Sequence, residues 1–204
     1  MFKELDIAVL HFFNHDLANP FLDFLFVSIS ESIALKFFLA AMVIAVLWKG
    51  NTKARAAIII AVISIAIVDP STHYILKKLF ARLRPCHVLD DLRMLVGCGG
   101  LYGFPSNHAA NSFAAATVLS VFYRRFVILF MSIAALIGLS RVYIGKHYLS
   151  DVLAGAVWGI AVSICLIYLI NKIALSVPEN YISNRYKSIL QGASNWRISK
   201  ISSK

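Results

Sequence analysis

The sequence predicts an all-α integral membrane protein, a bundle of about six transmembrane helices with an interfacial N-terminal segment. Three observations predict it. Of the 204 residues, 59% are hydrophobic and only 15% charged, and the mean hydropathy of +0.75 is too high for a soluble domain of this length. Apolar runs recur near the roughly 20-residue length that crosses a bilayer as a helix. The alternating segments of about ten residues that a transmembrane barrel would need do not recur.

The elements follow in order. The opening stretch, MFKELDIAVLHFFNHDLANP, carries one lysine and three acids and lacks a long apolar core or a small-residue cleavage pattern, so it is expected to stay in the mature protein. Residues 6–30 are weakly amphipathic and interrupted by Asn14, His15, Asp16, Asn19 and Pro20, which predicts an interfacial helix followed by a short span. Five further spans are expected at about 33–48, 56–76, 109–123, 126–144 and 149–171. Composition shifts near residue 172, dividing a membrane domain, 1–172, from a basic tail, 173–204. In that tail Ile182, Tyr186, Ile189, Ala193 and Trp196 recur at helical spacing, which fits an amphipathic helix on the inner leaflet as well as a frayed basic tail.

The formal net charge is +10, but the basic residues fall at helix ends and in the tail. Anionic lipid headgroups are therefore the expected partner, and nucleic acid is not. Lys49, Lys53 and Arg55 share one loop, Arg124 and Arg125 another, and Lys172 opens the tail; the positive-inside rule assigns all three to the cytoplasm. The opposite side then carries residues 77–108 and 141–147.

Those outward segments hold an unusual density of polar groups. Lys77 is followed after six residues by Arg84-Pro85; Pro105-Ser106-Asn107-His108 comes next; then Ser140-Arg141, five residues, His147, three residues, Asp151. The seven-residue spacing of Lys77 and Arg84 predicts two cations on one face at the end of a helix. His147 and Asp151 are four apart, so a carboxylate can orient one imidazole nitrogen and leave the other free to attack. Ser106 before a long apolar run predicts a helix N-cap, where unpaired N–H groups and the helix dipole favour an anion. Such groups in a membrane helix bundle face an internal cavity, and three cations with two histidines and one carboxylate predict that it holds a phosphate.

In these residues the chain resembles the type 2 phosphatidic acid phosphatase superfamily, whose signature reads K-x6-R-P, P-S-G-H and S-R-x5-H-x3-D. Ten of the eleven signature residues match in identity, order and spacing, over a resemblance spanning about residues 55–171. Asn107 departs from it, standing where the family has glycine. An adjusted pocket is expected there, with a side-chain donor added to the backbone N–H. The resemblance implies hydrolysis of a lipid phosphate or diphosphate without metal or cofactor. His147 would be the nucleophile that becomes phosphohistidine, Asp151 its orienting carboxylate and His108 the acid and then the base. Lys77, Arg84, Arg141, Ser106 and the N–H groups near Asn107 would surround the phosphoryl oxygens. The implied setting is a bacterial inner membrane with the site toward the periplasm or exterior. The implied substrates include undecaprenyl diphosphate, phosphatidylglycerophosphate, phosphatidate and lipid A phosphates.

Metal ligation by His108, His147 and Asp151 is the sharper rival for those residues, and the surrounding cations oppose it, because they would repel the ion. A transporter or binding protein for anionic lipid would want the same cations but not the His147–Asp151 pair or a second histidine. Asp69, His73 and Lys77 recur every four residues, so Asp69 and His73 either orient Lys77 and line the cavity or form a buried pair between helices; Ser140 is a further candidate beside Arg141. The glycine-rich VGCGGLYGF, 96–104, reads as a tight loop or a mobile lid, and Cys86 and Cys98 beside it as a disulfide in an oxidising compartment or as two thiols.

Overall fold

Short polar residues set where the helices begin. The first N–H groups of a helix lack intrahelical acceptors, and a side-chain oxygen at the cap supplies one. Asn19 accepts from Leu22 N ahead of Pro20, Ser32 from Leu35 N, Asn51 from Ala54 N and Ser106 from Ala109 N. The computed structural model describes residues 2–176, and the amphipathic helix expected at 182–196 lies outside them. Eight α-helices follow among the described residues: α1 (Phe2–His11), α2 (Pro20–Glu31), α3 (Ile33–Lys49), α4 (Thr52–Pro70), α5 (Lys77–Phe80), α6 (Asn107–Phe122), α7 (Val127–Tyr143) and α8 (Leu149–Ser176). Single π turns at Phe12–Asp16 and Ser71–Leu76 follow α1 and α4. No strand occurs among the described residues, only one bridge between Leu83 and Tyr102.

The protein is an all-α membrane bundle. Among the described residues Thr52–Phe80, Arg124–Tyr143 and Leu149–Ala174 are long and apolar enough to cross a bilayer, and α2 with α3, bent by 50° at Ser32, adds a fourth where the pair is counted as one broken span. Helix α6 lies at the centre, packed against α8, α7 and α4. Six spans is thus an approximate count, and α8 runs on through residue 172 to Ser176.

Helices in lipid gain little from the hydrophobic effect between one another, so close backbone approach at small residues decides which faces meet. Gly155 and Gly159 of α8 face α6 at the fully buried Ala109, Ala110 and Ala114. A Cβ at Gly155 would stand 2.5 Å from Ser106 O, and one at Gly159 2.1 Å from Ala110 O. This contact brings the N-terminal turns of α6 and α8 side by side.

The two ends of the bundle differ. At one, the Lys53 ammonium lies 4.9 Å from the Tyr123 ring centre, and Ala57, Phe122 and Ile167 form one apolar cluster. The basic loops at 49–55 and 123–126 therefore share an end with the C-terminal half of α8, as the charge pattern predicts. At the other end the N-terminal segment is tied down by polar contacts: Asp6 to Ser150, Asn14 to Tyr143 O, Ser30 to Ser140 and Glu31 to Lys146. Gly159→Ala should lower the apparent Tm in detergent by the equivalent of about 1–3 kcal/mol, the usual cost of overpacking. Gly97→Ala, which has nothing within 4 Å of its new Cβ, should not; thermal unfolding of the two variants checks this.

Candidate active site

Lys77 and Arg84 do not share a helix face as their spacing predicts. Helix α5 stops after Phe80 because Ala81 adopts φ 46°, a left-handed conformation that ends an α-helix. Beyond it Arg82-Leu83-Arg84 is extended, as expected before Pro85, with Arg84 N bonded to Leu101 O and Gly103 N to Arg82 O. Alternation along an extended chain then sends Arg82 and Arg84 to the same side. Lys77 arrives separately, its Nζ 3.0 Å from Tyr102 O and 3.5 Å from Gly103 O. Gly103 has no room for a side chain: a Cβ there would lie 3.0 Å from Asp151 Oδ2 and 3.2 Å from Arg84 Cγ. A disulfide between Cys86 and Cys98 closes the loop that follows.

His147 and Asp151 meet as predicted. His147 lies in the turn between α7 and α8, where Gly145 at φ 76° reverses the chain and the Lys146 and His147 N–H groups both donate to Arg141 O. Asp151, in the first turn of α8, is completely buried. Its Oδ2 accepts from Tyr148 N at 3.1 Å and lies 3.3 Å from His147 Nδ1; its Oδ1 accepts from Arg82 at 2.8 Å. The Asp151 carbonyl accepts from Ser106 N at 2.9 Å, which joins α8 to the cap of α6. With a proton on Nδ1 shared toward the carboxylate, Nε2 presents its lone pair to Arg84 Nη1, 3.3 Å away. Burial, then the charges of Arg84, Lys77 and Arg141, hold the His147 pKa well below 6.5, so its imidazole is unprotonated at neutral pH.

Arg141 adds its charge at this ring, and Lys146 joins it on a shared carboxylate. Arg141 is 3% exposed and pairs with Glu31 at 3.1 Å, and Lys146 reaches the same carboxylate oxygen at 2.7 Å. The Nε atoms of Arg84 and Arg141 are buried with no hydrogen-bond partner. Unpartnered guanidinium N–H groups in a buried site are costly unless an anion completes them. Ser106 caps α6, and His108 on its first turn keeps some contact with solvent while burial of its ring, then the Arg141 charge, pushes its pKa down to about 4.

The other sequence candidates sit elsewhere. The Asn107 amide donates to Asp69 O at 3.2 Å and to Asp69 Oδ1 at 3.0 Å, and Asn111 donates to the same Oδ1 at 2.7 Å. Its NH2 group is thus engaged on α4 and not added to the pocket, which keeps only the backbone N–H of that position. The π turn Ser71–Leu76 interrupts the four-residue repeat of Asp69, His73 and Lys77, and the Lys77 ammonium bonds Tyr102 O. His73 is exposed, its ring 4.7 Å from that of Tyr74. Ser140 is buried and bonds to Ser30 at 2.8 Å, joining α2 to α7.

Five contributors escaped sequence reasoning: Arg82, Asp6, Ser150, Glu31 and Lys146. Only Arg82 left a local signal, since an extended Arg-Leu-Arg before proline puts both arginines on one side. Arg82 bonds Asp6, Ser150 and Asp151 together, and Asp6 also accepts from the Ser150 N–H at 3.0 Å.

Fold and site define the class: a membrane-embedded phosphatase that aims a neutral, carboxylate-oriented imidazole at a nest of buried cations. Residues 55–174 match the PAP2 superfamily, and the chain belongs to that family. It is 30% identical over 165 residues to the lipid A 4'-phosphatase of Bacteroides thetaiotaomicron, covering 77% of this chain and 73% of that one. To the lipid A 4'-phosphatase of Porphyromonas gingivalis it is 32% identical over 178 residues, with 80% and 71% covered. The crystal structure of Aquifex aeolicus LpxE superposes with a TM-score of 0.60 at 26% identity, covering 80% of this chain and 95% of that one.

Asp6 yields a pH prediction. Burial pushes its carboxyl up, but hydrogen bonds from Ser150 and Arg82 outweigh burial and hold it below the ordinary 3.8. A depressed carboxyl contributes stability above its unfolded pKa and loses it as pH falls through the folded one. The Tm advantage of wild type over Asp6→Asn should therefore be full at neutral pH and shrink below pH 3.8, the ordinary value; thermal unfolding across that range checks it.

Proposed function

We propose that the protein is a metal-independent lipid phosphatase that works through a phosphohistidine at the outer membrane face. The observation that carries this reading is the buried, neutral His147, held by Asp151 at Nδ1 and opposed at Nε2 by Arg84, among guanidinium N–H groups that lack partners. His147 Nε2 attacks phosphorus and the bond from phosphorus to the lipid oxygen breaks; His108, its pKa held down at about 4 by burial and the Arg141 charge, takes up a proton from water when the phosphate dianion binds and donates it to that leaving oxygen. Asp151 offsets the positive charge that develops on the imidazole. Water then attacks the phosphohistidine, His108 takes its proton, the P–N bond breaks, and inorganic phosphate leaves with His147 neutral again. Lys77, Arg84, Arg141, Ser106 and the Asn107 N–H stabilise the equatorial oxygens. These cations already supply the charge that a metal would bring to the phosphoryl group.

The membrane domain, residues 1–172, carries this chemistry, with the basic tail and the Lys and Arg of the opposite end on anionic headgroups. The names of the two relatives support a phosphate monoester of lipid A as the first substrate to test, ahead of undecaprenyl diphosphate and phosphatidylglycerophosphate. A carrier of anionic lipid would share the cations yet release no phosphate.

In detergent, His147→Ala should bring phosphate release from such lipids down to background while lipid phosphate binding largely persists. His108→Ala should slow turnover by roughly 10²–10⁴-fold, the usual worth of general acid–base catalysis. Release by His147→Ala near the wild-type rate would overturn the mechanism, and a wild type that binds but releases nothing would favour the carrier.

Sidedness rests on the basic loops sharing the end away from His147. With Cys165 replaced by serine and the disulfide kept, an impermeant thiol reagent should label Gly100→Cys on intact cells and spare Arg124→Cys; both positions are exposed. The reverse pattern would put the site on the cytoplasmic face.

A further inference from the structure

His11, His15 and Asp91 form a second constellation, sharing no residue with the site above. His11 ends α1, and His15 follows four residues later in the π turn Phe12–Asp16, a kind of turn that recurs at functional positions. Their rings stack with centroids 5.3 Å apart. Asp91 reaches them from the disulfide-closed loop, its Oδ2 3.6 Å from His11 Nε2. One ligand atom from each of the three lies within 4.8 Å of the other two.

Metal geometry is reached from these distances by drawing the three side chains together. With bonds of about 2.0–2.1 Å, the ligand atoms of a tetrahedral zinc site stand about 3.3 Å apart. The His11–Asp91 distance is near that already, and both side chains are partly exposed and free to adjust, at 32% and 64%. The more enclosed member supplies a separate observation: His15 Nε2 is buried and has no hydrogen-bond partner. A buried imidazole nitrogen without a partner is uncommon, and metal binding to His15 would relieve its isolation.

The frame is rigid before any ion arrives. Asn14, between the two histidines, donates to Tyr143 O at 2.7 Å and to Arg93 O at 3.1 Å, and accepts from Arg93 N at 2.8 Å. Arg93 in turn donates to Asn14 O at 3.0 Å and to Asp23 Oδ2 at 2.8 Å. The turn that carries His15 is thereby fixed to the loop that carries Asp91, two residues from Arg93.

We propose that His11, His15 and Asp91 bind one divalent transition-metal ion of the zinc type, which clamps the N-terminal segment to the outer loop. Two imidazoles and a carboxylate match the nitrogen and oxygen donors that zinc accepts, with the fourth position left to water. The ion performs no phosphoryl chemistry; it fastens α1, whose Asp6 holds Arg82 and Ser150, to the loop that follows Arg84.

The test uses the full chain freed of any polyhistidine tag, purified in detergent and stripped with chelator. Zinc is titrated by calorimetry and cobalt by its visible ligand-field absorbance. The expected result is one equivalent bound, with a zinc-dependent rise in Tm and phosphate release unchanged between stripped and loaded protein. Asp91→Ala and His15→Gln should each weaken binding more than roughly tenfold, while His87→Gln binds as wild type does. Absence of saturable binding in wild type, or equal binding by Asp91→Ala, would overturn the proposal. Asp91 is exposed, so its variant decides the matter even if His15→Gln does not fold.

Discussion

A carboxylate with no exposure to water, Asp151, is the constraint on which the rest of this structure depends. Burying an ionised carboxylate costs several kcal/mol unless charge and hydrogen bonds compensate it. Here the compensation comes from the loop after α5 through Arg82, and from the turn before α8 through Tyr148 N and the His147 ring. The same residue's carbonyl holds the cap of α6 through Ser106 N. Satisfying one side chain and its peptide fixes three separate pieces of chain against one another, and those pieces carry most of the site.

The apolar bulk of the protein could not do this alone. Helices in lipid slide and rotate past one another at little cost where their contacts are only aliphatic, and small residues and polar bonds remove that freedom. Gly155 and Gly159 bring α8 down onto the backbone of α6, which sets the height of Asp151 relative to Ser106. Ser64 to Ser163 at 2.6 Å and Ser30 to Ser140 at 2.8 Å lock further helix pairs. At the site end, Glu31 answers Arg141 and Lys146, and Asp23 answers Arg93. The short helices α1 and α2 are thus held by charge as well as by the buried Leu10 and Phe26, with Phe21 and Phe24 left largely exposed on the outside.

Asn107 illustrates how a departure from a family signature is absorbed. Glycine at that position would leave the backbone free to approach a ligand. Asparagine introduces a side chain, and Asp69 of α4, with help from Asn111, draws its NH2 group to itself. The backbone N–H stays at the start of α6 while α4 gains a polar tie to α6.

By itself the sequence determined the all-helical membrane class, the cap at Ser106, the basic loops that share an end, the family, and the His147–Asp151 pair. All of these follow from composition or from spacing within a few residues, where covalent geometry leaves few alternatives. Only the tertiary structure decided the rest. Lys77 and Arg84 lie on a broken helix and an extended segment because Ala81 turns left-handed, a backbone state that alanine's identity does not announce. Arg82 rather than another cation reaches Asp151, Glu31 faces Arg141 across 110 residues of sequence, and Asp6 meets Ser150 across 144. Asp69 bonds Asn107 and Asn111 on α6, and the Lys77 ammonium bonds Tyr102 O, with a π turn between the two on their helix. The pairings among them are made by charges finding their counterparts among distant segments, and such a partnership leaves no mark on local spacing.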